Sequence, residues 1–168
     1  MPGIPHCDFF FFTDWASDRL RVGEPIPLFQ LVFHECYIAH FSGGGYGGGY
    51  DWWPDRTPRL YEFLFAAAPS YNWLPGGDLL ERKLKVPIED WNSESTKRQI
   101  EWLKRWSTYY QAVAYSEMIS HEFLNAERTL QRVRFANGVA AEFDMARNMF
   151  RIVGVNGFTG NWEKPPTL

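Results

Sequence analysis

The sequence predicts an α/β region followed by an all-β region: the C-terminal fragment of a (β/α)8 barrel over residues 1–126 and the start of an antiparallel β-sandwich over residues 127–168. Two runs, at residues 7–13 and 27–36, are apolar at both odd and even positions, which is typical of parallel strands covered on both faces. Each run ends beside a carboxylate, as strands do where a barrel carries its site. After about residue 126 the apolar period changes from 3.6 to 2, which predicts a domain boundary.

The amino-acid composition indicates a globular protein and argues against some classes of partner. Of the 168 residues, 45% are hydrophobic, so the chain can bury a core and is predicted to be globular. The net charge of −3 and the lack of a Lys/Arg block argue against nucleic acid as a partner. No apolar run approaches a membrane span, so no membrane partner is expected. Aromatic residues make up 18% of the chain, and sugar sites and large cores both use their flat faces. Cys7 and Cys36 lie in apolar runs and are expected to be free and buried.

The first two elements are predicted to be strands. Phe9 to Phe12 and Leu28 to Phe33 are expected to be adjacent and parallel, because both have the same two-sided apolar character. Asp14 and Trp15 close the first strand. His34-Glu35 close the second, where a carboxylate is tolerable because it stands at the rim of a barrel.

Two helices are predicted in the middle of the chain. Thr57 is suited to the N-cap and Pro58 to the first helical position, and the following apolar residues share one face: Leu60, Phe63, Leu64 and Ala67. An irregular stretch from Pro69 to Asn92 has the length of a loop that covers a functional site. A long helix is predicted to start between Ser93 and Thr96, with Gln99 completing a capping box with Thr96. Its apolar positions are Ile100, Leu103, Trp106, Tyr110, Val113 and Ala114. His121-Glu122 are interpreted as a feature of the end of this helix.

The C-terminal region is predicted to be a β-hairpin followed by a third strand. A two-residue Asn-Gly turn would mix the two faces of the hairpin. A three-residue loop with Gly138 in the left-handed conformation pairs Phe135 with Val139 and keeps the apolar side chains on one face. Residues 149–155 form the third strand, and residues 156–168 have no clear element.

The segment SGGGYGGGYDWWPD favours two interpretations: a lid whose aromatic rings stack on sugar faces, or a low-complexity loop that its two tryptophans anchor. It lacks the Lys-Ser/Thr pair that ends a nucleotide-binding loop, so no nucleotide cofactor is expected. No metal is expected either, because His34 and His40 are six residues apart and not four apart on a helix. His34 and Glu35 either bind a polar ligand or form a buried structural pair. The candidate substrate-binding residues are His34, Glu35, Asp14, Trp15, Tyr46, Tyr50, Asp51, Trp52 and Trp53.

Three stretches carry a resemblance to a known family: IPLFQLVFHE, LYEFLFAAAPSYNWLPGG and SEMISHEFLNAERTLQRVRFANGVAAEFD. They resemble the end of the barrel and its junction with a β-sandwich in glycoside hydrolases related to the endo-α-N-acetylgalactosaminidases, over most of residues 25–145. In that family the last barrel strand typically ends in His-Asp, and the acidic residue points into the sugar site. Here the pair is His34-Glu35, which is one methylene longer.

The resemblance implies that the nucleophile and the general acid lie on earlier barrel strands. Their positions are therefore unknown in this chain, and Asp14 and Glu35 are expected to bind sugar hydroxyls. The implied partners are a carbohydrate substrate and the remainder of the barrel, encoded upstream, and the implied location is secreted or cell-surface. The expected function is that of the C-terminal portion of a retaining glycoside hydrolase acting on carbohydrates or glycoconjugates. The alternatives are a non-catalytic carbohydrate-binding or interaction module and a truncated chain that binds nothing.

Overall fold

A computed structural model of the chain describes residues 9–13, 26–36, 38–42, 58–68 and 94–165. Within these ranges the strands form a parallel pair and an antiparallel four-stranded sheet whose strands are neighbours in chain order. The elements in chain order are β1 (Phe9–Thr13), α1 (Leu28–Phe33), a 3-10 helix (His34–Cys36), β2 (Ile38–Ser42), α2 (Pro58–Leu64), α3 (Glu94–Val113), β3 (Met118–Phe123), β4 (Leu130–Phe135), β5 (Ala140–Asp144) and β6 (Met149–Val153).

The prediction of a strand over residues 27–36 is wrong, because this run forms α1 and the 3-10 helix. A short apolar run cannot be assigned to strand or helix by periodicity alone. Within α1 and the 3-10 helix the buried positions are Gln30 and His34, which are four residues apart and therefore lie on one helix face. The parallel partner of β1 is instead β2, in a register that runs from Phe9 opposite Ile38 to Thr13 opposite Ser42.

The two predicted helices are confirmed. α2 begins at Pro58, while its proposed N-cap, Thr57, lies outside the described residues. The predicted face of α2 is fully buried. α3 begins at Glu94, so Thr96 lies inside the helix and the predicted capping box is wrong.

Aromatic side chains join these helices to the sheet. The ring of Phe63 stacks on Trp106 at 5.6 Å and on Phe150 of β6 at 5.6 Å between centroids. Tyr109 lies edge-on to Phe135 of β4. α2, α3 and one face of the sheet therefore share a single apolar core, and Trp102 and Tyr109, which the predicted helical pattern omitted, are part of it.

The predicted hairpin register is confirmed. The amide of Phe135 donates to the carbonyl oxygen of Val139 at 2.9 Å, and Val133 lies opposite Ala141. Gly138 has φ of +88°, the left-handed conformation that the three-residue loop requires. The third strand is also found, at Met149–Val153.

The hairpin also closes the C-terminal end of α3. The side-chain amide of Asn137 donates to the carbonyl oxygen of Ala112 at 2.6 Å, and the Asn137 backbone N–H donates to the Ser116 hydroxyl at 3.1 Å. The first contact satisfies one of the carbonyl groups that a helix end leaves without a partner.

Because α3 ends at Val113 and a new strand starts at Met118, His121 and Glu122 lie in β3, and their interpretation as a helix-terminus feature is wrong. Nε2 of His121 lies 2.8 Å from the side-chain oxygen of Gln131 on β4.

The tail after β6 folds back onto that strand. Glu163 forms an isolated antiparallel bridge with Phe150, and its carboxylate pairs with Arg105 of α3 at 2.9 Å. The described strands belong to one antiparallel sheet and one parallel pair, so the complete barrel, the sandwich and the domain boundary at residue 126 stay predictions. In the described part of the chain, no helix has both the length and the apolar character needed to cross a membrane.

Candidate functional site

The carboxyl ends of β1 and β2 meet at one edge of the parallel pair, since Thr13 lies opposite Ser42. Ligand sites of parallel α/β folds form at this edge. In the sequence, Asp14 and Trp15 come directly after β1 and the glycine-rich segment comes directly after β2. A candidate site at the ends of two parallel strands is therefore kept. The second of these strands is β2, and not residues 27–36, and β2 leads into the glycine-rich segment.

Seven of the nine predicted site residues lie outside the described ranges, so their role in binding stays a prediction. They are Asp14, Trp15, Tyr46, Tyr50, Asp51, Trp52 and Trp53.

His34 is buried between α1 and the sheet. Its Nδ1 donates to the carbonyl oxygen of Ser116 at 2.9 Å, with the proton assigned to Nδ1 because a carbonyl only accepts. Its ring lies 5.5 Å from the ring of Phe135. Burial lowers the pKa of His34 below the usual value of 6.5, and this effect outweighs the opposing hydrogen bonds to backbone oxygens. This geometry favours the interpretation of His34 as a buried structural residue.

Glu35 lies on the 3-10 helix and its side chain is exposed. Its predicted position at the end of a strand is wrong, because the chain continues for two further residues before β2 begins. An exposed carboxylate can still accept hydrogen bonds from sugar hydroxyls, so its role stays a prediction. Cys36, the next residue, is free as expected but exposed, not buried.

The most buried carboxylate of the described residues is Glu142 on β5. Its two oxygens are both taken: Oε1 accepts from Nε of Arg132 at 2.8 Å and Oε2 accepts from Nε of Arg151 at 2.8 Å. Burial raises the pKa of Glu142, but the hydrogen bonds from Arg151 and Arg132 outweigh it, so the pKa is lowered. A carboxylate held in this way stays ionised and cannot act as a general acid near neutral pH.

Glu142 belongs to a row of charges that sequence reasoning missed. We call the surface of the four-stranded sheet that faces away from α3 the outer face. Along it, Glu122, Arg132, Glu142 and Arg151 lie directly opposite one another on β3, β4, β5 and β6. In β5 and β6 apolar residues flank the charge on both sides, and this alternation was the available signal, because successive side chains of a strand point to opposite faces. Among the described residues, no cluster of three or more His, Cys, Asp or Glu side chains is arranged to hold a metal ion.

No protein-family model and no curated protein matches the chain. Solved structures of alpha-N-acetylgalactosaminidase NagBb from Bifidobacterium bifidum are similar to it. The ligand-free structure has a TM-score of 0.58 at 21% identity, over 90% of this chain and 22% of that one. The quadruple mutant has a TM-score of 0.56 at 23% identity, over 89% of this chain and 21% of that one. This chain shares the fold of part of that glycosidase.

The structure of its complex with GalNAc is also similar, with a TM-score of 0.51 at 20% identity, over 79% of this chain and 19% of that one. The chain therefore spans about a fifth of the length of the glycosidase structures that it matches. The expected relation to glycoside hydrolases is supported at the level of fold. The particular family that the sequence resembles is not distinguished at this identity.

Proposed function

We propose that this chain is the C-terminal portion of a glycoside hydrolase that acts on O-glycosidic bonds of carbohydrates or glycoconjugates, and that it contributes substrate-binding residues. The observation that carries the proposal is the fold likeness to alpha-N-acetylgalactosaminidase NagBb across about nine tenths of this chain. The name of that protein makes a terminal α-linked N-acetylgalactosamine the first substrate to test.

The parallel pair supports this proposal. β1 and β2 are the parallel strands among the described residues, and parallel sheets are built from more strands with helices on both faces. We therefore infer that further parallel strands complete the sheet, as they do in a (β/α)8 barrel. The remainder of the barrel is then a structural partner of this chain.

We infer that the substrate-binding residues follow the carboxyl ends of the two strands. Asp14 and Trp15 follow β1. Asp51, Trp52 and Trp53 follow β2 after the glycine-rich segment, whose glycines allow a lid to close. In this arrangement carboxylates accept hydrogen bonds from hydroxyls while the indoles stack on sugar faces. Tyr46 and Tyr50 would add further stacking faces, and Glu35 a further acceptor.

The catalytic carboxylates are proposed to come from the rest of the enzyme. A retaining glycosidase needs two carboxyl groups about 5 to 5.5 Å apart. In the part of the chain that the structure describes, the most buried carboxylate, Glu142, is held by two arginines, and Glu35 is exposed. Neither is suited to such a pair.

The test is hydrolysis of 4-nitrophenyl α-N-acetylgalactosaminide, measured for this chain alone and for the proposed longer polypeptide that joins it to the remainder of the barrel. The chain alone is expected to give no turnover, and the longer polypeptide is expected to release nitrophenol. Turnover by the chain alone that disappears in Glu35→Gln would contradict the assignment of the catalytic pair to other residues. A longer polypeptide that folds but cleaves no glycoside would contradict the proposed function itself.

Binding by the longer polypeptide tests the proposed residues directly. Replacing Glu35 by Ala is expected to cost about 1 to 3 kcal/mol of sugar affinity, because it leaves a hydroxyl without its partner. Trp52→Ala and Trp53→Ala are expected to weaken binding without lowering the melting temperature. Calorimetric titration with N-acetylgalactosamine measures the affinity, and Glu127→Ala, an exposed residue after β3, is the control. If Glu35→Ala, Trp52→Ala and Trp53→Ala all bind the sugar as tightly as the control Glu127→Ala, the proposal that these residues bind substrate is wrong.

A further inference from the structure

Trp162 is a partly exposed tryptophan in the tail that follows β6. It is 37% exposed, and the guanidinium carbon of Arg151 lies 5.3 Å from the centroid of its ring. Because Arg151 projects from the outer face, the indole lies over that face and not over the apolar core. A guanidinium stacked on an aromatic ring holds it by a cation–π interaction.

The backbone next to Trp162 is held in place. Glu163 exchanges two hydrogen bonds with Phe150, both of 2.8 Å, and its carboxylate binds Arg105 of α3 at 2.9 Å. Successive side chains of an extended segment point to opposite sides. Glu163 faces α3, so Trp162 faces outward. The indole is therefore positioned before any ligand arrives, which lowers the entropic cost of binding.

The charged row also holds Arg151 in place. Its Nε and Nη2 both lie 2.8 Å from Oε2 of Glu142, whose other oxygen is bound by Arg132. Two charge-assisted contacts from one guanidinium to the same carboxylate oxygen restrict the orientation of the guanidinium plane. The guanidinium group of Arg151, on which the indole rests, is thus held in place by Glu142 of the neighbouring strand.

Hydrogen-bonding groups with spare capacity lie on the same face, two strands away. Arg134 of β4 is half-exposed, and its contact with Glu122 is long, at 3.9 Å. β4 and β6 are two strand spacings apart, which is about 10 Å. That separation is suited to two linked pyranose rings. Val153 of β6, exposed on the same face, adds an apolar side chain to it.

We propose that the outer face is a carbohydrate-binding site in which Trp162 stacks on one pyranose ring while Arg134 hydrogen-bonds the hydroxyls of the next. This site does not depend on the proposed glycosidase function, because it lies on the four-stranded sheet and not at the edge of the parallel pair. An aromatic platform flanked by donors and acceptors matches a sugar, which has apolar C–H faces and polar edges.

A sugar suits this face better than a protein does. A stable protein interface needs roughly 800 Å² on each partner with an apolar centre. Trp162 and Val153 are separate exposed apolar side chains next to a row of mutually paired charges. Binding a protein here would bury these ion pairs or separate them, and either change has an unfavourable free energy that the new contacts would have to offset.

The experiment follows the indole N–H resonances of the full 168-residue chain, labelled with 15N, during titration with lactose, cellobiose, chitobiose and N-acetylgalactosamine. The resonance that is absent from the spectrum of Trp162→Ala is assigned to Trp162. At least one disaccharide is expected to shift this resonance. Calorimetric titration is expected to show that Trp162→Ala weakens the affinity by about tenfold or more. Tyr115→Ala is the matched control, because Tyr115 is an aromatic residue that is 77% exposed and lies outside the charged row.

Arg134→Ala keeps the proposal testable if Trp162→Ala lowers the melting temperature. This variant is expected to weaken disaccharide binding at least about threefold, because it removes a donor at the second subsite, and to leave monosaccharide binding unchanged. Three results would overturn the proposal: no saturable shift with any of the four sugars, equal affinity in Trp162→Ala and the parent chain, or self-association through this face in place of sugar binding.

Discussion

Nδ1 of His34 lies 2.9 Å from the carbonyl oxygen of Ser116, although 82 positions separate the two residues in the sequence. This hydrogen bond joins the end of α1 to the turn between α3 and β3. The hydrogen bond therefore connects the segment that leads into β2 with the four-stranded sheet. Protonation of His34 is expected to affect the packing of these two parts of the chain.

The first prediction concerns pH. Because burial lowers the pKa of His34 below its unfolded value of 6.5, the unfolded chain binds a proton at a higher pH than the folded chain. The contribution of His34 to folding stability is therefore fully present above about pH 6.5 and is lost as pH falls from there through the folded pKa. Urea unfolding at pH 7.5 and at pH values down to about 5 measures this loss.

The control for this prediction is His34→Gln, whose amide can still donate to Ser116 but does not titrate. Its free energy of unfolding is expected to fall less over the same pH range. Parallel curves for the parent and the variant would show that His34 is not the titrating group.

The second prediction concerns Tyr109 of α3. Its hydroxyl, fully buried, donates to the carbonyl oxygen of Phe63 at 3.0 Å, and burial raises the pKa of Tyr109. Phe63 also accepts from the Ala66 amide, so Tyr109→Phe leaves that oxygen with one partner. We expect a loss of about 1 kcal/mol in the free energy of unfolding. Tyr115→Phe, at an exposed position, is expected to change nothing measurable, and equal effects of the two variants would contradict the assignment.

The third prediction compares two glycines of left-handed conformation. Gly138 has φ of +88° and open space where a Cβ would be added, whereas a Cβ on Gly154, with φ of +84°, would lie 3.3 Å from the carbonyl oxygen of Gly138. Gly138→Ala is expected to cost about 1 to 2 kcal/mol from backbone strain alone. Gly154→Ala is expected to cost about 1 kcal/mol more, because backbone must shift as well. Thermal unfolding measures the melting temperatures of the two variants, and Gly154→Ala is expected to have the lower one. A lower melting temperature for Gly138→Ala would contradict this prediction.

The fourth prediction concerns the charged row. Glu142→Gln removes the charge between Arg132 and Arg151, whose guanidinium groups would then face one another without a counterion. We expect a loss of about 1 to 3 kcal/mol, below the full value for a buried pair because the arginines are partly exposed. The matched control is Glu101→Gln, which removes an exposed pair with Lys104 at the same distance of 2.8 Å and is expected to have little effect. Denaturant unfolding of both variants tests the contrast.

Local chemistry was sufficient to predict several elements from the sequence. The start of α2 follows from Pro58, which has no N–H to lose at a helix N-terminus. The loop of the β4–β5 hairpin follows from Gly138, since the alternative register would have mixed apolar and polar side chains on both faces. α3 follows from apolar residues at helical spacing over 20 residues. In each case the determining interactions lie within a few residues of one another.

Tertiary structure decided the rest. Leu28 to Phe33 is apolar at every position except Gln30, so its sequence suits a buried strand and a helix equally. It became a helix because Gln30 and His34 share one face, which packs where Ser116 can accept a hydrogen bond from His34. The outer face likewise exists only because strand register brings Glu122, Arg132, Glu142 and Arg151 into one row and the tail brings Trp162 onto it. Contacts between residues that are distant in the chain depend on the packing of whole elements, which local pattern does not encode.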